Sequence, residues 1–396
     1  MLRRLHLLLL ILLLAACNRA PAESAPAESP PPATTVPEPA LPTAAVVPTN
    51  TAAPTAEATD ENTLPVDATP NDGQTAEEVT WALDDTTMAA TVTRPAGDGP
   101  FPAVVFVAGG GPADRDWNSA QFPGRNGSAA LLADALTRAG YVTLRYDKRF
   151  TGQFAQQNMA AMSGNISFQS HLDELSSAVD YLATQPGIDP ARLFVLANSE
   201  GTLHAMNYQA SDPALPFAGL ILTGAPGQPI ADVVRRQIDR DVLSADPNRD
   251  ELLGLWDEAM AAFIAGEAAE LDPALPGDAQ AMWSALVAPA NQPFMAEFMD
   301  ARPADLLAAT TAPALVIIGQ KDIQSDWRVD GAALEAAAGD NVTFSYPANA
   351  NHVLKLEEKA AEELTSADSA TYNAAGRVLD PETVAVILAW LGEQMG

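Results

Sequence analysis

The chain has 396 residues, a formal net charge of −30 and a single cysteine. So acidic a surface repels the phosphates of nucleic acid and anionic lipid headgroups, which argues against a nucleic-acid partner. One cysteine excludes an internal disulfide, while an apolar content of 47% is ample for a large core.

Met1-Leu2-Arg3-Arg4 opens a leucine-rich run that reaches Leu14 and closes on Ala15-Ala16-Cys17. A basic start, a short apolar stretch and small residues before a cut site make residues 1–16 a secretory signal. The run is too short to be an ordinary membrane span, which takes about 20 apolar residues. Leu14-Ala15-Ala16-Cys17 resembles the lipobox of bacterial lipoproteins. That resemblance implies acylation of Cys17, export, and a lipid anchor at the cell membrane facing outside the cytoplasm, with the anchor as the sole membrane contact. Residues 17–75 are nearly all Ala, Pro, Thr, Glu, Ser and Val without hydrophobic periodicity. Such a segment buries too little apolar surface to offset its ordering entropy, so a disordered stalk is expected.

A folded domain is expected over 76–396. Val79 to Leu83 and Met88 to Thr93 read as two strands around the turn Asp84-Asp85-Thr86. Pro102 to Ala108 is a continuous apolar run, as in a strand buried on both faces. Ser128 to Ala139 has helical spacing and stops at Gly140. Strand Tyr141–Tyr146, helix Phe168–Thr184, strand Arg192–Ala197, helix Ser199–Gln209 and strand Ala218–Thr223 follow. The alternation then breaks over 227–308, a largely helical insertion punctuated by Pro and Asp. It resumes with strand Ala314–Ile318, helix Trp327–Ala338, strand Val342–Tyr346 and helix Pro381–Met395. The fold class is α/β: a mostly parallel sheet flanked by helices, with a helical cap between the sixth and seventh strands.

Ala197-Asn198-Ser199-Glu200-Gly201 falls at a strand-to-helix junction, where a sharp turn can thrust a serine hydroxyl into an open site. The turn needs small residues two before and two after the serine, and Ala197 and Gly201 stand there. A serine nucleophile also needs an imidazole base and a carboxylate to orient it. Of the four histidines, His6 lies in the signal, His204 sits in the helix after Ser199 and should turn away from it, and His171 reads as a surface or capping group. His352 lies in a loop just after the last strand, where active sites of open α/β sheets collect. Asp322 ends its strand in Gly319-Gln320-Lys321-Asp322 and is the expected carboxylate; its rival Asp326 reads as a helix cap. The oxyanion donors should be the backbone N–H of Glu200 and one from Gly109-Gly110-Gly111, with Gly110 first and Gly111 next.

These segments, with Gly109-Gly110-Gly111-Pro112-Ala113-Asp114-Arg115-Asp116, Leu144-Arg145-Tyr146-Asp147-Lys148-Arg149 and Asn351-His352, resemble the α/β-hydrolase fold. The likeness is to bacterial esterases of the dienelactone-hydrolase and lysophospholipase-like branches. It implies a carboxylic-ester hydrolase acting on a small-molecule ester through an acyl-enzyme on Ser199, with Asp322 and His352 completing a triad and with neither cofactor nor metal. Asp114–Asp116 and Asp147–Arg149 are expected to form structural ion pairs. The chain departs from the usual pattern at Ala108, Ala197 and Asn198, where His, Gly and His are common. In the cap, Trp256, Met260, Phe263, Met282, Trp283, Phe294, Met295, Phe298 and Met299 should mostly pack the cap onto the body, a few reaching an acyl group. A serine peptidase of the same fold and an inactive surface binding protein remain open alternatives, as does the oligomeric state.

Overall fold

The central strands are apolar on both faces because both faces are covered. In the computed structural model, which describes residues 73–119 and 124–395, eight strands form one sheet. They are β1 (Thr75–Leu83), β2 (Thr86–Arg94), β3 (Phe101–Val107), β4 (Val142–Tyr146), β5 (Ile188–Asn198), β6 (Gly219–Thr223), β7 (Ala314–Ile317) and β8 (Val342–Ser345). Their spatial order is β1-β2-β4-β3-β5-β6-β7-β8, antiparallel at β1/β2 and β2/β4 and parallel from β4 onward. The expected signal, Cys17 and nearly all of the expected stalk lie outside the described residues. No described helix is long and apolar enough to cross a membrane.

Side chains alternate between two cores, as the two-residue period of a strand requires. Ala103, Val105 and Val107 of β3 join Leu193, Val195 and Ala197 of β5 on one face. Val104 and Phe106 join Phe194 and Leu196 on the other. The first face is covered by α3 (Phe168–Ala183), through Leu175, Ala178, Val179 and Leu182, and by α4 (Gly201–Ala210). The second is covered by α1 (Ser128–Arg138), through Leu132 and Leu136, and by α11 (Pro381–Glu393), through Ile387, Trp390 and Leu391. Each such fully buried large side chain is worth about 1.5–3 kcal/mol relative to exposure. The start of α3 is fixed by a capping box in which Ser167 Oγ accepts from Ser170 N at 3.0 Å.

Between β6 and β7 the chain builds the cap: α5 (Ile230–Gln237), α6 (Arg249–Ile264), α7 (Gly277–Leu286), α8 (Phe294–Asp300) and α9 (Pro303–Ala309). α5 runs on into a π-helical turn over Ile238–Leu243. Trp256, Phe263 and Trp283 pack edge to face in the interior of the cap. α8 seats it on the body, where Phe294 packs against Phe168 and Glu297 accepts from the Phe168 N–H at 2.6 Å.

Several bounds differ from the sequence expectation. β1 begins four residues before Val79, because an edge strand pairs through its backbone and needs no apolar alternation; Thr75–Glu78 are all exposed. The turn at Ser199 delays α4 to Gly201, and the helix expected over Trp327–Ala338, α10, spans only Asp330–Ala337. α2 (Ala155–Met162) was not anticipated: only Asn158 and Met162 of it are buried, so it carries no apolar stripe.

Close approach of α4 to the end of β3 depends on one residue. A Cβ at Gly201 would lie 2.5 Å from the Ala108 carbonyl oxygen and 2.8 Å from that of Val107. Neither backbone oxygen can swing aside. Gly201→Ala is therefore expected to lose about 1–3 kcal/mol of stability, read as a lowered urea midpoint with an unchanged slope.

Candidate active site

The strand-to-helix turn places Ser199 at φ 54°, a left-handed conformation rare for a residue with a Cβ. Its N–H donates to the Thr223 carbonyl at 2.8 Å, anchoring the turn to the end of β6. The preceding Asn198 is buried, and its side-chain amide donates to Thr223 Oγ1 at 3.1 Å and to the carbonyl of His352 at 3.1 Å. Asn198 thus ties the serine turn to the loop that carries the imidazole.

Asp322 follows β7, and its two carboxylate oxygens have separate tasks. Oδ1 accepts from the N–H groups of Gln324 and Ser325 at 2.8 and 2.9 Å, while Oδ2 meets His352 Nδ1 at 2.8 Å. The side chain of Asp322 is wholly inaccessible to solvent. A carboxylate so placed selects the imidazole tautomer protonated at Nδ1 and leaves Nε2 as the basic nitrogen. Asn351 Oδ1 holds the imidazole loop by accepting from Val353 N and Lys355 N. Gly224 (φ +54°) lies beneath the ring; a Cβ there would stand 3.1 Å from His352 Cε1. Asp326 is engaged elsewhere, accepting from Arg328 N at 2.8 Å.

Ser199, His352, Glu200 and Gly109–Gly111 line one cavity of about 210 Å³. The N–H groups of Gly110 and Glu200 have no hydrogen-bond partner among the described residues. Phe150, Ile166, Phe294, Met295, Phe298 and Met299 give the cavity an apolar wall, the last four from the cap. Trp256, Met260, Phe263, Met282 and Trp283 are instead buried outside that wall. Asn126, Ser369, Tyr372 and Asn373 supply a polar border.

Behind the serine turn lies a buried ionic cluster that the sequence reading did not assemble. Lys148 Nζ lies 3.0 Å from Glu200 Oε1, 2.6 Å from the Gly109 carbonyl oxygen and 3.4 Å from that of Gly111. His204 Nε2 approaches Glu200 Oε1 at 3.4 Å, and its ring lies 4.4 Å from that of His171, tilted by 32°. His171, expected at the surface, is buried: Nδ1 meets Glu174 Oε2 at 3.1 Å and Glu174 in turn binds Arg149. The clue was available, since Glu174 follows His171 at a spacing that shares one helix face. Nearby, Arg115 grips Asp147 through Nε and Nη2, and Arg145 pairs with Asp116.

Burial alone would raise the Glu200 carboxyl, but Lys148 and then His204 outweigh it and hold the group well below the ordinary carboxylate range. Burial, reinforced by His171, pushes the His204 imidazole down to about 4 against the pull of Glu200. His204 is therefore neutral at pH 7, donating through Nε2, so the unpartnered Nδ1 carries only a lone pair. His171, Glu200 and His204 offer atoms within 4.8 Å of one another, the donor set a divalent metal would use. The ammonium of Lys148 already satisfies the carboxylate those ligands would share.

A serine on a strand-to-helix turn, an Asp–His pair beyond later strands and this sheet order together define a hydrolase of the α/β class. Residues 104–366 match the alpha/beta hydrolase family, and the chain belongs to it. It is 25% identical over 269 residues to Esterase EstD of Thermotoga maritima, an alignment taking in 67% of this chain. The chain spans only 58% of that relative's length. Among solved structures, a hypothetical protein of Pseudomonas aeruginosa superposes with a TM-score of 0.50 at 20% identity, over 84% of this chain and 98% of that one. A proline iminopeptidase of Mycobacterium smegmatis gives 0.46 at 17% identity, over 80% and 98%.

The buried imidazole makes stability depend on pH. An unfolded histidine protonates near pH 6.5, whereas His204 resists protonation down to about 4 in the fold. Across that window the unfolded chain binds more protons, so stability falls with falling pH by up to about 1.4 kcal/mol per unit. Below about pH 4.3 the depressed Glu200 adds a further loss as the unfolded carboxyl protonates. His204→Gln should flatten the first fall in urea titrations run from about pH 7 to about pH 4.5, which spans the histidine window; an undiminished slope would place the titrating group elsewhere.

Proposed function

We propose that the protein hydrolyses carboxylic esters through an acyl-enzyme on Ser199, with His352 as general base and acid and Asp322 orienting it. The observation that carries this reading is the 2.8 Å contact between His352 Nδ1 and a sequestered Asp322, on a loop sharing a cavity with a strained serine. His352 Nε2 takes the proton of Ser199 Oγ as the oxygen attacks the ester carbonyl, and the carbonyl oxygen gains negative charge. The N–H groups of Gly110 and Glu200 receive that charge. Collapse of the adduct breaks the bond to the alcohol, which leaves with the proton from His352. Water, deprotonated by the same imidazole, then attacks the acyl carbon and releases acid and serine.

The apolar wall from α8 and Phe150 suits an acyl chain, and the family's esterase relative agrees with that choice of substrate class. The motif segments favour the dienelactone-hydrolase and lysophospholipase-like branches. Ser199→Ala should lower turnover of a short p-nitrophenyl ester by at least about 10³-fold and abolish labelling by a fluorophosphonate, with folding unchanged. Undiminished hydrolysis by that variant would sink the mechanism, and cleavage of dipeptide amides as fast as esters would shift the reading to a peptidase.

The N-terminal segment supports a setting for this activity: export by the signal over 1–16, acylation of Cys17, and a stalk that holds the domain off the membrane. Cys17→Ala should move the protein from the membrane fraction to the soluble fraction of cells. Retention in the membrane would overturn the lipid anchor.

A further inference from the structure

We propose that Lys148 is a positioning residue for the oxyanion site: clamped by the buried carboxylate of Glu200, its ammonium pins the Gly109 carbonyl and so aims the Gly110 N–H into the cavity. This rests on the acyl-transfer reading above. In a planar trans peptide, the carbonyl of one residue and the N–H of the next point in opposite directions. Lys148 Nζ holds the Gly109 oxygen at 2.6 Å, on the side of the loop where Glu200 lies. The Gly110 N–H must then face away from the ion pair, and it has no partner among the described residues.

The second donor is aimed by the same device. The Ser199 carbonyl accepts from Thr202 Oγ1 at 2.6 Å and from Thr202 N at 2.9 Å. The Glu200 N–H, across that peptide, is thereby turned the other way. One residue thus serves twice: the backbone of Glu200 supplies an oxyanion donor, and its side chain anchors the cation that orients the other donor.

A glycine loop needs such a clamp. Three successive glycines have no side chains to lock their peptide planes and lose more freedom on ordering than any other sequence. Side chains there would crowd the site and displace its neighbours, since a Cβ at Gly110 would lie 2.9 Å from Glu200 Oε2 and one at Gly109 would lie 3.2 Å from Ser199 Cβ. An ammonium has three N–H donors. Those of Lys148 are matched by the oxygens of Gly109, Gly111 and Glu200, leaving none for substrate. Its side chain is 3% exposed and that of Glu200 is 7% exposed, so each charge depends on the other.

Lys148→Met alone strands the Glu200 charge and is expected to unfold easily. Lys148→Met combined with Glu200→Gln removes both charges and keeps both shapes, which restores thermal stability. In the double variant, kcat for a short p-nitrophenyl ester should fall on the order of 10²-fold, with KM within about threefold of wild type. Affinity for an alkylboronic acid, which mimics the tetrahedral adduct on Ser199, should fall in parallel with kcat. A folded double variant that keeps kcat within about threefold of wild type would overturn the proposal, as would a loss expressed in KM alone. These outcomes are separable from failure of the reaction itself: turnover surviving in Ser199→Ala refutes the acyl-enzyme, whereas Ser199-dependent turnover unimpaired in the double variant refutes only the clamp.

Discussion

The organisation of this protein depends on one close approach: the backbone of α4 lies against the last carbonyls of β3, with Gly201 at the contact. That contact forces the chain to turn within two residues of the end of β5, and it leaves Ser199 in a left-handed conformation that a serine adopts only under constraint. The same contact brings Glu200 beneath the glycine loop that follows β3. The serine turn and its placement beside the glycine loop are thus products of a single packing event. Ala197, where the pattern more often has Gly, fits within it because that side chain points into the core on the α3/α4 face.

Charge is organised in layers around that contact. Beneath the glycine loop lies the Lys148–Glu200 pair, and behind it two neutral or carboxylate-bound imidazoles pack against Phe168 and Phe294. Farther out, Arg149–Glu174, Arg115–Asp147 and Arg145–Asp116 fasten the ends of β4 to α3 and to the loop after β3. Burying so many charges costs several kcal/mol for each unless it is offset by its partners, and each of these groups has one. Buried charge is not confined to this region, since Asp134, Asp330, Lys355 and Asp380 are also buried, but here the pairs gather around the glycine loop and the serine turn.

The strands were legible because period-two alternation and continuous apolar runs are local signals, and β3 and β7 could be read from a handful of residues each; their spatial order was not, because it depends on pairing between distant segments. Ser199, Asp322 and His352 were legible for a different reason: each sits where a strand of a parallel sheet ends, and the structure gathers Asp322 and His352 into contact and Ser199 and His352 around one cavity. Lys148 and Glu200 were not paired in advance. They are 52 residues apart, and nothing in either neighbourhood distinguishes a buried charge from a solvated one. His171 failed similarly, since its helix face looked amphipathic whether it met water or Glu174. α2 escaped because helices without an apolar stripe resemble loops.

The cap leaves the sheet after β6 and returns at β7, and those two strands are direct neighbours, with Leu220 opposite Ala314 and Thr223 opposite Ile317. Because the two strands run parallel, the chain leaves the sheet at the Thr223 end of this pairing and re-enters at the Ala314 end, so the intervening segment crosses back along the pairing whatever its length. Sequence inserted, shortened or exchanged there can remodel the apolar cavity wall while the pairing that carries the turn at Ser199 and the loop of Asp322 stays in register. The cavity wall from α8 and the turn that carries Ser199 thus lie on separate pieces of chain, which meet where Phe294 packs against Phe168.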